Sequence, residues 1–150
     1  MEEDNISEDY MALIDTYRTN VAKKREQISK LFSEKAKENE KIAAARTKIE
    51  RASDAIRKTK SSATIKSKTN DITRAEKDIT TSEKKIAVLE KQIAKLEKEI
   101  ADEQKKVERE EKKIHDQRIK EEAEMQKKTQ VRPLVSILLR AALRTGKLSL

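Results

Sequence analysis

The sequence contains no Cys and no Trp, and only one Gly, one Pro and one His among 150 residues. Each scarcity excludes something. Without Cys there is no disulfide, no thiolate metal site and no Cys nucleophile. A single His leaves neither a catalytic triad nor a zinc cluster to build. With one Gly and one Pro, turn chemistry is nearly missing, which argues against sheets, sandwiches and doubly wound folds. No run of about 18 apolar residues occurs, so no membrane-spanning helix is expected. The N-terminus, Met1-Glu2-Glu3-Asp4, is acidic. A secretory signal needs a basic start and an apolar run, so a cytoplasmic location is the default expectation.

What is abundant is charge. Charged residues make up 43% of the chain, against about 25% in an ordinary domain. The net charge of +8 is unevenly spread. Residues 1–20 carry six acids and one base, and residues 21–70 carry 15 bases and six acids. Residues 71–130 balance at 16 of each, and residues 131–150 hold four bases and no acid. Such a composition suits either a disordered polyelectrolyte or long helices with a narrow apolar seam, and periodicity decides between them.

The apolar positions repeat every seven residues. In the first half the series is Ile14, Val21, Ile28, Ile42, Ile49 and Ile56, interrupted only by Lys35. Tyr10, Tyr17, Leu31, Ala45 and Ala52 fall three or four residues on. In the second half Ile65, Ile72, Ile79, Ile86, Ile93, Ile100, Val107 and Ile114 form an unbroken series. Its companion positions are Ala75, Ser82, Leu89 and Leu96, then Glu103, Glu110 and Gln117. These are a/d seams of a coiled coil.

The two series are out of phase, because Ile56 and Ile65 are nine residues apart. At about 100° per residue, nine steps turn the stripe roughly 180° away. One uninterrupted helix would show its seams on opposite sides, whereas a chain reversal lets each arm cover the other. The expected fold is therefore all-α: a long antiparallel coiled-coil hairpin over residues 1–130. Its arms are expected at about 9–58 and 71–120, with a tip near 60–69. The stretch Thr59–Asp71 is rich in Ser, Thr, Asn and Asp, which favour caps and turns; Thr69, Asn70 or Asp71 would cap the second arm. The alternative is one long helix with a shifted seam. Two registers satisfy the hairpin: Ala52 on Ile79, Ala45 on Ile86, Ile49 on Ser82 and Leu31 on Ile100, or, one heptad over, Ala52 on Ile72, Ile49 on Ala75 and Leu31 on Ile93. Polar layers at Lys35, Glu38, Glu103 and Glu110 would restrict register. So thin a hairpin buries little, which points to a homo-oligomer or a coiled-coil partner protein.

Residues 131–150 differ in composition. They hold the only Pro and Gly, Pro133 and Gly146, placed as for a helix start and stop. Leu134, Leu138, Leu139, Arg140, Leu143 and Arg144 would form a short basic amphipathic docking helix. Three readings stay open: a docking helix or the stub of a following domain, a helix lying on an anionic membrane surface, or the product of a truncated or shifted reading frame.

The tip is basic, with Arg57, Lys58, Lys60, Lys66 and Lys68 and no acid from Ile56 to Asn70. It could hold an anion or an acidic partner through point charges. Aromatics to stack bases and a Gly-rich phosphate cradle are lacking, which disfavours nucleic acid. His115 beside Asp116 reads as a surface residue. The pairs Glu110-Glu111 and Glu121-Glu122 read as i,i+4 partners of lysines on a solvated face. Tyr10, Tyr17 and Phe32 read as packing residues, and Met11 and Leu13 as a widening of the seam toward another chain. No catalytic, metal or cofactor residue is expected, and the chain reads as non-enzymatic.

The tip Arg57-Lys58-Thr59-Lys60-Ser61-Ser62-Ala63-Thr64-Ile65-Lys66-Ser67-Lys68, with the Ile-Ala-x-Leu-Glu-Lys-x-Ile-type run at Ile86–Ile100, resembles the N-terminal coiled-coil segments of bacterial proteins whose C-terminal half is a TIR or TIR-like nucleotide-binding domain. The resemblance covers roughly residues 5–125, and only the Ser/Thr-rich tip is specific within it. It implies that the coiled coil assembles a larger effector protein whose following domain carries the chemistry. Residues 131–150 do not match the start of such a domain, so no catalytic residue carries over.

Overall fold

The structure, a computed structural model, describes the backbone of residues 2–144 and the side chains of residues 8–129 and 137–142. Two helices account for nearly all of it: α1, Glu2–Lys58, and α2, Ser62–Arg144. The chain is the all-α antiparallel coiled-coil hairpin that the opposed seams predict. It divides into two units, one of Tyr17–Gln104 and one in which the residues up to Thr16 join those from Lys105 onward.

The reversal is far shorter than the expected tip. Among the described residues only Thr59, Lys60 and Ser61 lie outside the helices. Ser61 is the N-cap of α2: its carbonyl accepts from the Ile65 N–H at 3.0 Å, and its hydroxyl accepts from the Thr64 N–H at 3.4 Å. The Thr59 hydroxyl oxygen in turn accepts from the Ser61 N–H at 3.2 Å. These are the side-chain bonds that satisfy orphan amides at a helix start. Residues 62–71 are thus helix rather than turn, and Thr69, Asn70 and Asp71 cap nothing. The reason is local. Inside a helix a Thr hydroxyl can bond back to the carbonyl four residues earlier. Thr69 does so to Ile65 at 2.7 Å and Thr73 to Thr69 at 3.1 Å. At the other side of the turn, Arg57 and Lys58 occupy the last turn of α1, where cations complement the helix dipole.

In the Tyr17–Gln104 unit, cross-helix ion pairs settle the register. Lys24 meets Glu99 at 3.7 Å and Glu103 at 3.6 Å, Lys35 meets Glu90 at 3.0 Å, and Glu38 meets Lys85 at 3.9 Å. Their residue numbers add to 123, 127, 125 and 123. The set with Ala52 level with Ile72 and Leu31 with Ile93, whose numbers add to 124, is the one that fits. The other set adds to 131 and would need a tip about one heptad longer. A three-residue turn selects the tighter alignment.

The seam recurs as a/d spacing demands. Val21, Ile42, Ala45 and Ala52 of α1 and Ala75, Leu89, Ile93 and Ile100 of α2 are buried, together with Glu38, Ser82 and Glu103. Ile28, Ile49, Ile56, Ile72, Ile79 and Ile86 are only half-buried. Alanines at three of the buried positions let the backbones approach. Two helices alone nevertheless leave the flanks of the larger residues in water. Ile65, at the start of the second series, is 36% exposed; its level partner would fall in the turn.

In the other unit, Ile14 is buried at 4% exposure and Tyr10 is half-buried. The Lys113 ammonium lies 5.8 Å from the Tyr10 ring centroid, within cation–π range. Ile114 and Gln117 are half-buried, whereas residues 118–129 are exposed throughout. The backbone of the C-terminal segment is helical to Arg144 and continuous with α2 across Pro133. Proline has no N–H to give to the carbonyl of residue 129. Gly146 and its neighbours lie outside the described residues.

Candidate functional site

Heptad letters place the remaining side chains, with Ile28, Ile42 and Ile49 of α1 and Ile79, Ile86 and Ile93 of α2 at position a. On a helical wheel e lies about 40° and b about 100° from a, on one side of the seam, while g and c lie on the other. In an antiparallel pair the e and b positions of both helices share one broad face, and g and c share the opposite one.

The g/c face of the Tyr17–Gln104 unit carries an open groove. Its central part, of about 540 Å³, is lined by Glu34, Lys37, Lys41, Lys85, Val88 and Leu89. It adjoins a second stretch of about 500 Å³ between Leu31 and Leu96, and the two share Glu34 and Gln92. Val88 is 55% exposed there. Lysines dominate this rim, with Lys30, Lys37, Lys41 and Lys48 on α1 against Glu34.

The polar layers are ion-paired across or along the seam. The Lys41 ammonium donates to Glu38 Oε1 at 3.0 Å. That bond, a second one from Ser82 and the charges of Lys41 and Lys85 hold the Glu38 carboxyl below the ordinary glutamate range, with desolvation opposing them. Lys35 is held by Glu90, and Glu103 by Lys24. In the other unit Glu110 accepts from Lys113 at 3.2 Å through Oε1, and its Oε2 is buried without a hydrogen bond. Glu110 therefore belongs to the seam rather than to a solvated pair; Glu121 and Glu122 are exposed.

The e/b face has a different chemistry. On α1 it presents Arg25 and Arg46 with Ala22, Ser29, Ala36 and Ala43. On α2 it presents Glu76, Glu83, Glu90 and Glu97 with Ala87, Ala94 and Ala101. All are exposed. Phe32 lies here too at 48% exposure. It is not a packing residue of the hairpin, because position e points about 70° away from the partner helix. The half-buried a-position isoleucines open onto this same face.

At the tip Arg57 is tied to Asp54 at 2.9 Å and Lys68 to Asp71 at 3.8 Å. Lys58, Lys60 and Lys66 have no ion pair among the described residues and are exposed. The five bases are near one another in the chain, and two of them are neutralised by acids of their own helices. Of the expected docking helix, Leu138 and Leu139 are 68% and 55% exposed, as is Ile137 at 61%, and Arg140 is exposed. The side chains of Leu134, Leu143 and Arg144 lie outside the described residues. His115 is exposed. Met11 and Leu13 are exposed at 52% and 38%.

Among the described residues no cluster of His, Cys, Asp and Glu could hold a metal ion, and no helix is long and apolar enough to cross a membrane. Comparison with protein-family models, curated proteins and solved structures finds no match to this chain. The e/b face was missed in the sequence reading; its signal was present as the Ala repeats and the Glu row, which become visible once e and b are read as positions in their own right.

Proposed function

We propose that the chain is a non-enzymatic coiled-coil assembly module that self-associates through its hairpin, serving as the assembly region of a larger bacterial effector. The observation that carries this reading is the half-buried state of six isoleucines in an otherwise regular seam. A seam maintained over this length, yet left partly wet by its own second helix, calls for further helices to cover it. The ion-paired polar layers support the reading, since they fix which residues of the seam are level and so give every copy the same surface. Sedimentation over a range of protein concentrations, with helicity followed in parallel, tests it. The expected result is a mass of at least two chains at micromolar concentration and loss of helix on dilution. A fully helical monomer at all concentrations refutes it.

A second reading is favoured by the exposed Ile137, Leu138 and Leu139 beside Arg140. These are the elements of a helix that lies on an anionic surface. Its test is co-sedimentation with phosphatidylserine vesicles, which is expected to fall steeply as salt rises. Equal retention by neutral vesicles, or none at low salt, rules it out.

A further inference from the structure

We propose that the e/b face of the Tyr17–Gln104 unit is the self-association surface, and that the second copy packs on it with its α1 over the first copy's α2, antiparallel and in the same register as the hairpin itself. The inference rests on the assembly reading and names its surface and geometry.

Three rows of side chains point to this arrangement. At e, α1 carries Arg25, Phe32, Asn39 and Arg46, while α2 carries Glu76, Glu83, Glu90 and Glu97. Glu90 is held by Lys35 of its own hairpin, and the other five charged residues have no ion pair among the described residues. At b, both helices carry small residues. At f, the outer rim, α1 carries Glu26 and Glu40 and α2 carries Lys77, Lys84, Lys91 and Lys98. The face is thus a basic strip and an acidic strip side by side, with rims of the reverse sign.

Two copies can stack face to face in two symmetric ways. With the two-fold axis perpendicular to the helices, α1 lies on α1 and α2 on α2. Arg then meets Arg, Glu meets Glu and Lys meets Lys. With the axis parallel to the helices, α1 lies on the partner's α2. Opposite charges then meet in the inner and outer rows, with Arg25 on Glu97 and Arg46 on Glu76 inside and Glu26 on Lys98 and Glu40 on Lys84 at the rim. Small residues meet across the middle, and the uncharged Phe32 and Asn39 stand opposite Glu90 and Glu83.

That axis leaves heights along the helix unchanged, so the register between copies is the hairpin's own. At that register Arg25 is level with Glu97, Ala36 with Ala87, and Glu26 and Glu40 with Lys98 and Lys84. Phe32 stands opposite Glu90 of the other copy, with the small Ala87 and Ala94 at the b positions on either side of it. The half-buried isoleucines are covered in the same step.

The size is adequate. Residues 18–46 span about 42 Å at 1.5 Å per residue, and two helices 8–10 Å apart make a face about 20 Å wide. That is roughly 800 Å² per copy, the usual share of one partner in a stable interface. The opposite face suits a second copy poorly, because its α1 rim is strongly basic while its α2 rim is mixed, including Lys85 and Lys95.

The chain has no Cys, so single cysteines report directly. Ala36→Cys and Ala87→Cys change exposed small residues and should leave helicity intact, which circular dichroism checks. Under mild oxidation, an equimolar mixture of the two variants should form the mixed disulfide on the order of 10²-fold faster than either variant alone cross-links to itself, as proximity within a complex dictates. Addition of salt should slow it. A dimeric or larger mass with no preference for the mixed pair, or with faster self-cross-linking, overturns this geometry and leaves the assembly reading standing. A monomeric mass at all concentrations overturns both.

Discussion

Replacing Ile93 with Ala separates a packed seam from a helix that stands in water. Ile93 is 6% exposed and sits level with Leu31. The substitution removes three carbons, worth about 0.8 kcal/mol each, or about 2.4 kcal/mol before any cavity is counted. The void opens toward water on a two-helix seam, so little cavity cost is added. Ala is the better helix former by about 0.4 kcal/mol, which leaves a net loss of about 2 kcal/mol per chain. Val88→Ala is the control on the same helix: Val88 is 55% exposed, its lost burial is about 0.7 kcal/mol, and the gain in helix propensity nearly cancels it. Urea unfolding followed by circular dichroism, at one fixed protein concentration, reads both. With a slope of 1–3 kcal/mol per molar for a small protein, Ile93→Ala should lower the midpoint by roughly 1 M, and Val88→Ala should hardly move it. An isolated helix predicts the opposite sign, since both variants would then gain helix. Equal shifts for the two, or a more stable Ile93→Ala, would refute the packing described here.

Three further outcomes follow from the turn, the register and the polar layer. Ser61→Ala should cost about 1 kcal/mol through the lost cap, whereas Asn70→Ala, in mid-helix, should raise thermal stability slightly; a loss at Asn70 equal to that at Ser61 would restore the longer tip. Spin labels at Glu34 and Gln92 should be nearer than labels at Glu34 and Glu99, because the second pair adds about 10 Å of axial offset; dilution with unlabelled chain keeps the reading within one molecule. The lowered pKa of Glu38 means that its ionised form favours the fold. Its stabilisation is complete above the unfolded value of about 4.3 and is lost as pH falls through the lower folded value. Glu38→Gln should therefore be less stable than the parent near neutrality, and the difference should vanish in acid; a difference that persists at low pH contradicts this.

The heptads made the helices, the reversal and most seam residues legible, because burial at every third and fourth position is imposed by helix geometry alone. The extent of the tip was not legible. Ser and Thr between Ser61 and Thr73 carry the same propensity for turns whether they cap a helix or bond back within one, and only the cap at Ser61 distinguishes the two. Register depends on that boundary, since a turn one heptad longer would bring the other set of layers level. Phe32 follows Leu31 directly, and one residue of offset turns a side chain by about 100° out of the seam. The polar positions Lys35, Glu38 and Glu103 could be recognised as layers, but their partners Glu90, Lys85 and Lys24 depend on the register.

The three-residue turn also sets the order in which the hairpin closes. Contacts beside Ser61 join residues a few positions apart, while Lys24 and Glu99 are separated by 75 residues of chain. The entropy lost on closing a loop grows with its length, so the first turns on either side of the tip meet before the far ends do. Each heptad already zipped then shortens the loop for the next. The arms are held against slipping by one repeat, because a slipped pair would have to unwind the capped start of α2 and separate Lys35 from Glu90.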